Sequence, residues 1–428
     1  MSYKAGRMAP RMEMLEDRML LSTTVTYTPT SISIVGDATR TGTINVTGTA
    51  GGLYTVAVLG GEPVVYKGQP LPPVVSNAVC ITVSTGNAGR TVNVTPANAK
   101  NVTINGGVGD DNITAGSNVF AGNVTINGGD GTNFLTVTSV DIPGNVTIKG
   151  GKDQDYITVG LATVIGGNTI INAGDGSNRV LVAGAVIRGN FVINGGKDAD
   201  LVVLGHISAT GLLGNCSIDT KAGGDIILFN HGTYGSSGFG KVTTFKVMAG
   251  DGDDNIAIGG IWYAGAVVFG GTFSLDAGAG SDTLQFTNNS LAAEVDFEKA
   301  ATFRMGAGDD VVQISNIGNS NNVIFGGNTT IDMGLSLTGG LGDRIGVGVG
   351  STSLLIFQGA KNTINLGAGI KGLVTGIRAS SILLGGSTHT EIKAAKGASV
   401  SSTLKSAIFK GIDVTFDNVG VALSLGEA

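Results

Sequence analysis

Between Asn101 and Asp200 the chain writes nearly the same phrase five times. Val102-Thr103-Ile104-Asn105-Gly106-Gly107 returns at Val124 to Gly129, Val146 to Gly151, Thr169 to Gly174 and Phe191 to Gly196. Each phrase runs into a glycine-acid turn that ends at Asp111, Asn133, Asp155, Asn178 or Asp200, in steps of 22, 22, 23 and 22. A fixed period of this length is the signature of a solenoid, in which each repeat buries its apolar face on its neighbours. Val-Thr-Ile alternates apolar and polar residues, the period of a strand with one buried face. Paired glycines supply the positive φ that a sharp corner needs. A second apolar strand follows the corner (Ile113, Leu135, Ile157, Val180, Val202), and a third short patch closes the period (Phe120, Ile142, Ile165, Ile187). Three short strands in every period, with no helix signal, predict an all-β chain. The expected architecture is a right-handed parallel β-helix with capped ends and rungs about 4.8 Å apart.

A length of 428 residues would allow two or three domains, but a solenoid grows without a new core. The 72 glycines do not recur every third residue, so collagen is excluded. The β-branched content is too high for a disordered chain. The net charge is −6, concentrated in residues 101–350, where 23 acids face 11 bases. That balance argues against a nucleic-acid partner. It fits either acids on solvated corners or acids that attract cations. Cys80 and Cys216 lie about six coils apart, roughly 29 Å along the axis, too far for a disulfide, and read as small core residues. No apolar run reaches the length of a transmembrane helix.

Four regions follow. Residues 1–22 are charged and outside the repeat; 23–90 form a strand-rich N-terminal cap; 91–375 hold the repeats; 376–428 form a C-terminal cap, with Thr390 to Lys396 as one or two helical turns. Past Asp200 the corner residues are Asp225, Asp254, Asp282 and Asp310, at steps of 25, 29, 28 and 28. The added residues, Leu228 to Lys241, Gly259 to Gly265 and Thr287 to Lys299, are expected to protrude as stacked loops carrying Phe239, Trp262 and Tyr263, where a sugar ring could bind.

The octet Leu15-Glu16-Asp17-Arg18-Met19-Leu20-Leu21-Ser22 resembles the LEPR-XLL segment of large planctomycete surface and secreted proteins, with Asp17 in place of the proline. That resemblance implies export to the cell surface or outside. The corners Gly250-Asp251-Gly252-Asp253-Asp254, Gly278-Ala279-Gly280-Ser281-Asp282 and Gly306-Ala307-Gly308-Asp309-Asp310 resemble the RTX nonapeptide of calcium-binding β-rolls, although RTX repeats recur every nine residues. The resemblance implies calcium as cofactor, with Asp253, Asp254, Asp282, Asp309 and Asp310 as the candidate ligands. The alternative is local capping of the bend by Asp and Asn side chains. With corners on successive rungs, unscreened repulsion between neighbouring carboxylates would be about 3.5 kcal/mol at an effective dielectric of 20.

The coil as a whole is similar to the pectate-lyase-like superfamily, which implies acids and an Arg or Lys base on one sheet. Arg304 near Asp309 and Asp310, or Arg344 near Asp343, are the positions that could serve. His206, His231 and His389 are too scattered for a histidine metal site or a Ser-His-Asp triad. The expected function is an exported structural or adhesive solenoid that binds extracellular polysaccharide or other cell-surface proteins. The alternative is a polysaccharide lyase or hydrolase on the same fold.

Overall fold

A computed structural model describes residues 22–49, 54–68, 80–117, 119–205, 210–230, 244–259, 265–286, 293–314 and 322–334. Beyond these it describes a series of strands between 344 and 421, with side chains described at 345, 358 and 360–365. The described residues are all β and stack as a solenoid of about nine turns. Nine rungs of the first sheet lie between Asn101 and Arg304. The first sheet has 17 strands and the second 15.

Pairing follows the repeat residue for residue. Val124 pairs with Val102 and Val146, and Ile126 with Ile104 and Ile148, all in parallel. The inward rows Val102, Ile104, Val124, Ile126, Val146, Ile148, Ile193 and Ile218 are buried, while Thr103 and Thr125 face outward and are half-buried. The rows stack without slipping because a one-residue shift would turn every apolar side chain out to water. At the corner, Gly129 has a φ of +89°, and a Cβ there would overlap the carbonyl oxygen of Gly107 on the rung before. Glycine thus serves both the bend and the close stacking of successive bends.

The N-terminal end departs from parallel pairing. Strands β1 (Thr23–Thr28) and β2 (Ser31–Val35) pair antiparallel, as do β3 (Thr43–Gly48) and β4 (Tyr54–Leu59). Strand β5 (Val64–Gly68) adds to β1 at the edge. Beneath this end lies a buried ion pair. Arg90 Nη1 is 2.8 Å from Glu62 Oε2, and Arg90 Nη2 donates to the Asp37 carbonyl at 2.9 Å. Thr23 donates to Glu62 Oε1 at 2.7 Å. Burial pushes the Glu62 carboxyl up, but Arg90 and Thr23 outweigh it and hold the group below the usual range.

Three expectations need correction. The segment Thr287 to Lys299 is not all loop: Ala293–Phe297 is a strand of a six-stranded third sheet, with Val295 and Phe297 in the core. Thr390 to Lys393 belong to the strand His389–Lys393, which pairs on one side with Lys361–Asn365 and on the other with Asp413–Asp417. Alternating polar and β-branched residues between two waiting ladders favour that strand over an isolated helical turn. Cys80 is not a core residue. It is half-buried in the outward row, where Asn101 lies 3.7 Å from its sulfur. Cys216 is buried, and burial pushes its thiol well up.

Candidate functional site

The corner residues form one inward row. Asp111, Asn133, Asp155, Asn178, Asp200, Asp225, Asp254, Asp282 and Asp310 are all at most 3% exposed. The acids of this row are therefore not on solvated corners. Each uses Oδ1 to accept the backbone N–H of the corner residue one rung before it. Asp111 accepts from Arg90 at 2.8 Å, Asn133 from Asp111 at 3.0 Å, Asp155 from Asn133 at 2.9 Å and Asn178 from Asp155 at 2.9 Å. Asp200, Asp225, Asp254, Asp282 and Asp310 continue the series at 2.9, 2.7, 2.6, 2.9 and 2.9 Å. A corner N–H points along the solenoid axis, away from its own strand pairing, so a short side-chain acceptor on the next rung is what satisfies it.

Burial sets the ionisation of this row. It pushes Asp111, Asp200, Asp225 and Asp282 up to about 6 and Asp254 up to about 7. Asp155 is raised for the same reason. At Asp254 the neighbouring carboxylates Asp225, Asp282 and Asp253 add to the shift, opposed by the bond from the Asp225 N–H.

The five expected metal ligands fall into two rows. Asp254, Asp282 and Asp310 point inward, while Asp253 is exposed and its Oδ1 accepts the Ser281 N–H of the next rung at 2.7 Å. Asp309 is half-buried in that second row. The donors are oxygen, as calcium requires, but calcium takes about six to eight of them. Each inward carboxyl has one oxygen committed to the rung before, which leaves a single Oδ2 per corner. The Gly278 carbonyl is also engaged, by the Ala307 N–H at 2.9 Å. Among the described residues no group of three or more acidic, histidine or cysteine side chains has the arrangement of a metal site. The oxygens at a single corner fit calcium poorly.

Lys152 and Lys197 do not pair with Asp155 and Asp200 on their own rungs. They reach Asp130 and Asp175 on the rung before, at 2.8 and 3.0 Å, in exposed bridges. Arg304 is exposed on the outer face of the first sheet, flanked in its row by Asp276 and Asp332, while Asp310 points into the core. Arg304 and Asp310 are therefore not brought together. Asp343, Phe239, Trp262, Tyr263, His206, His231 and residues 1–21 lie outside the described residues.

Two outer features escaped the sequence reading. Another row of side chains, Asn101, Asn123, Asn145, Asn168 and Asn190, opens or directly precedes the first strand of its rung. Each Oδ1 accepts the backbone N–H of the next rung, at 3.2, 2.8, 2.8, 2.8 and 3.1 Å, ending at Asn215. An asparagine directly before every Val-Thr-Ile phrase was the available signal. On the second sheet, Phe134 and Tyr156 stack face to face on adjacent rungs with centroids 4.7 Å apart. Phe134 is 49% exposed and borders a groove of about 400 Å³, walled by Thr43, Thr91, Asp110, Asn112 and Thr132. Arg90 and Asp111 also line the groove, but the Arg90 side chain is fully buried against Glu62 and Asp111 is 1% exposed.

No family model matches the chain, and neither the curated proteins nor the solved structures contain a match to it.

Proposed function

We propose that the chain is a structural rod, exported to the cell surface or beyond it, that holds an extracellular polysaccharide along its outer faces. The observation that carries this reading is the stacked pair Phe134 and Tyr156 at the edge of the groove. An exposed aromatic face gives a sugar ring apolar area at little entropic cost, and the surrounding Thr, Asn and Asp side chains offer hydroxyl partners. The row beside them, Thr43–Thr91–Asn112–Phe134–Tyr156, sets these groups one rung apart, a regular spacing suited to a repeating polymer. The charged N-terminal segment supplies the route of export.

A glycan array followed by titration of the best polysaccharide tests the reading. Phe134→Ala and Tyr156→Ala are expected to weaken binding about tenfold each, the scale of one aromatic stacking contact. Absence of binding to every extracellular polysaccharide, or variants that bind as the wild type does, would sink it. A reporter fused to residues 1–22 tests export, and retention of the fusion inside a planctomycete host would count against that part.

A further inference from the structure

Five corners share one backbone. The residues four and two places before the corner side chain both have positive φ: 89° and 97° before Asn133, 92° and 86° before Asn178, 73° and 119° before Asp225, 110° and 134° before Asp254, and 108° and 143° before Asp282. At the two Asn corners this conformation turns two carbonyls inward, and the side-chain amide fills the space between them. Asn133 Nδ2 donates to Gly129 O at 3.1 Å and to Gly131 O at 2.9 Å. Asn178 Nδ2 donates to Gly174 O at 3.0 Å and to Gly176 O at 2.8 Å.

At Asp225, Asp254 and Asp282 the atom in that place is Oδ2. It is buried and has no hydrogen-bond partner at any of the three. Near Asp225 the Thr220 hydroxyl is turned to Ala249 O, to which it donates at 2.9 Å. An ionised oxygen facing carbonyl oxygens, out of reach of water, is strongly disfavoured. Asp155 and Asp200 show the opposite solution. Neither has the positive-φ pair, and their turns present an N–H instead: Gly151 N–H donates to Asp155 Oδ2 at 2.7 Å, and Gly196 N–H to Asp200 Oδ2 at 3.3 Å.

We propose that Asp225, Asp254 and Asp282 are held as neutral carboxylic acids, each donating its O–H to a corner carbonyl where Asn133 and Asn178 donate an amide N–H. The second half of the rod is then locked by bound protons and loosens when they leave. A proton needs a single acceptor, which the corner supplies; calcium needs a shell of oxygens that the corner lacks. The charged surroundings favour the same outcome. Asp200 faces Asp225, and Asp225, Asp253 and Asp282 face Asp254, while Asp253 also acts on Asp282. Asp251, Asp309 and Asp310 add further negative charge on the neighbouring corners, and Lys221 is the one cation within the three corner turns. Burial raises these carboxyls to between about 6 and about 7, against about 3.9 in an unfolded chain. The folded state therefore binds their protons more tightly. The stability they contribute is complete below about pH 4 and is lost as pH rises through 6 and 7.

The test is thermal unfolding of the full chain at pH 5 and pH 8, with chelator and then with calcium, for wild type, Asp254→Asn and Asp282→Asn. Wild type should melt lower at pH 8 than at pH 5. Each variant should raise the pH 8 melting temperature by about 3–8 °C and leave the pH 5 value nearly unchanged. Infrared spectra at pH 5 should show a buried carboxylic-acid carbonyl band that weakens in each variant, a readout independent of stability. Variants that match wild type at both pH values would overturn the proposal. So would a calcium-induced rise in the wild-type melting temperature at pH 8 that Asp282→Asn abolishes, because the corner would then hold a cation.

Discussion

The two halves of the rod solve the same stacking problem at different widths. From Asn101 to Asp200 successive corners are 22 or 23 positions apart in the chain, and the core is mainly Val, Ile and Leu. The third face of this half carries a separate sheet of four short strands, Asp141–Ile142, Thr163–Ile165, Ala185–Ile187 and, just past Asp200, Gly211–Leu212. From Asp225 to Asp310 the spacing rises to 28 or 29 positions, and the third sheet has full strands such as Gly265–Phe269 and Ala293–Phe297. The wider section is filled by phenylalanines. Phe269 and Phe297 stack at 4.9 Å, and Phe297 and Phe325 at 5.2 Å, with Phe273, Phe286 and Phe303 set edge-on or tilted among them. Added length has gone into core volume, since an unfilled cross-section would forfeit packing on every rung. The corners differ in parallel. The narrow half alternates Asp with Asn, whereas the wide half places Asp on every rung.

The largest test of this contrast is in the wide core. Phe297→Ala should cost about 3–5 kcal/mol, with hydrogen exchange rising in the rungs around Ala293–Phe297 while Asn101–Asp200 keep their protection. Loss of protection along the whole rod would mean that the halves are not energetically separate. Asn133→Asp should bring the wide half's problem into the narrow half. The new carboxylate would face Gly129 O and Gly131 O, and a shift of about two pH units corresponds to about 3 kcal/mol lost at pH 8 and far less at pH 5. An equal loss at both pH values would show that the carboxyl does not titrate there. Asp155→Asn is expected to move the other way from Asp282→Asn. An amide at 155 sets N–H against the Gly151 N–H or the Asn133 N–H whichever way it is turned, for a loss of about 1–3 kcal/mol in denaturant unfolding at pH 8; a gain would break the distinction between the two corner types. Smallest is Lys152→Ala, which removes an exposed bridge and should stay within about 1 kcal/mol.

Much of the fold was legible because a short period nests inside a long one: alternation along each strand, and recurrence of the whole phrase from rung to rung. Val102, Val124 and Val146 had to share a row on either count. The chemistry of the corner was less so. From Asn133 to Asp282 the two kinds of corner differ in φ at the residues four and two places before the side chain, which a residue count does not reveal. A weak signal existed, since Gly129 and Gly131 bracket the donor corner whereas Gly151 is followed by Lys152 and Asp153 at the acceptor corner. Lys221 blurred it by taking a positive φ without being glycine. The Arg90–Glu62 pair had no signal at all. Arg90 stands at a corner where the repeat has Asp or Asn, Glu62 lies in an irregular segment before it, and only the tertiary fold brings them together.

The two ladders of side chains run in opposite senses. In the acid row the N–H of an earlier rung reaches forward to the side chain of the next; in the asparagine row the N–H of the later rung reaches back. From Asn101 to Asn215 each joint is therefore a two-way latch, closed once from either side. A chain made from its N-terminus lays down rungs in order, so each new rung seals the one before it and leaves its own corner N–H open until its successor arrives. Within this stretch a partly built rod ends in one bare donor at the acid corner and one bare acceptor at the other. The rod has a front and a back that are chemically unlike, and assembly has a direction written into it.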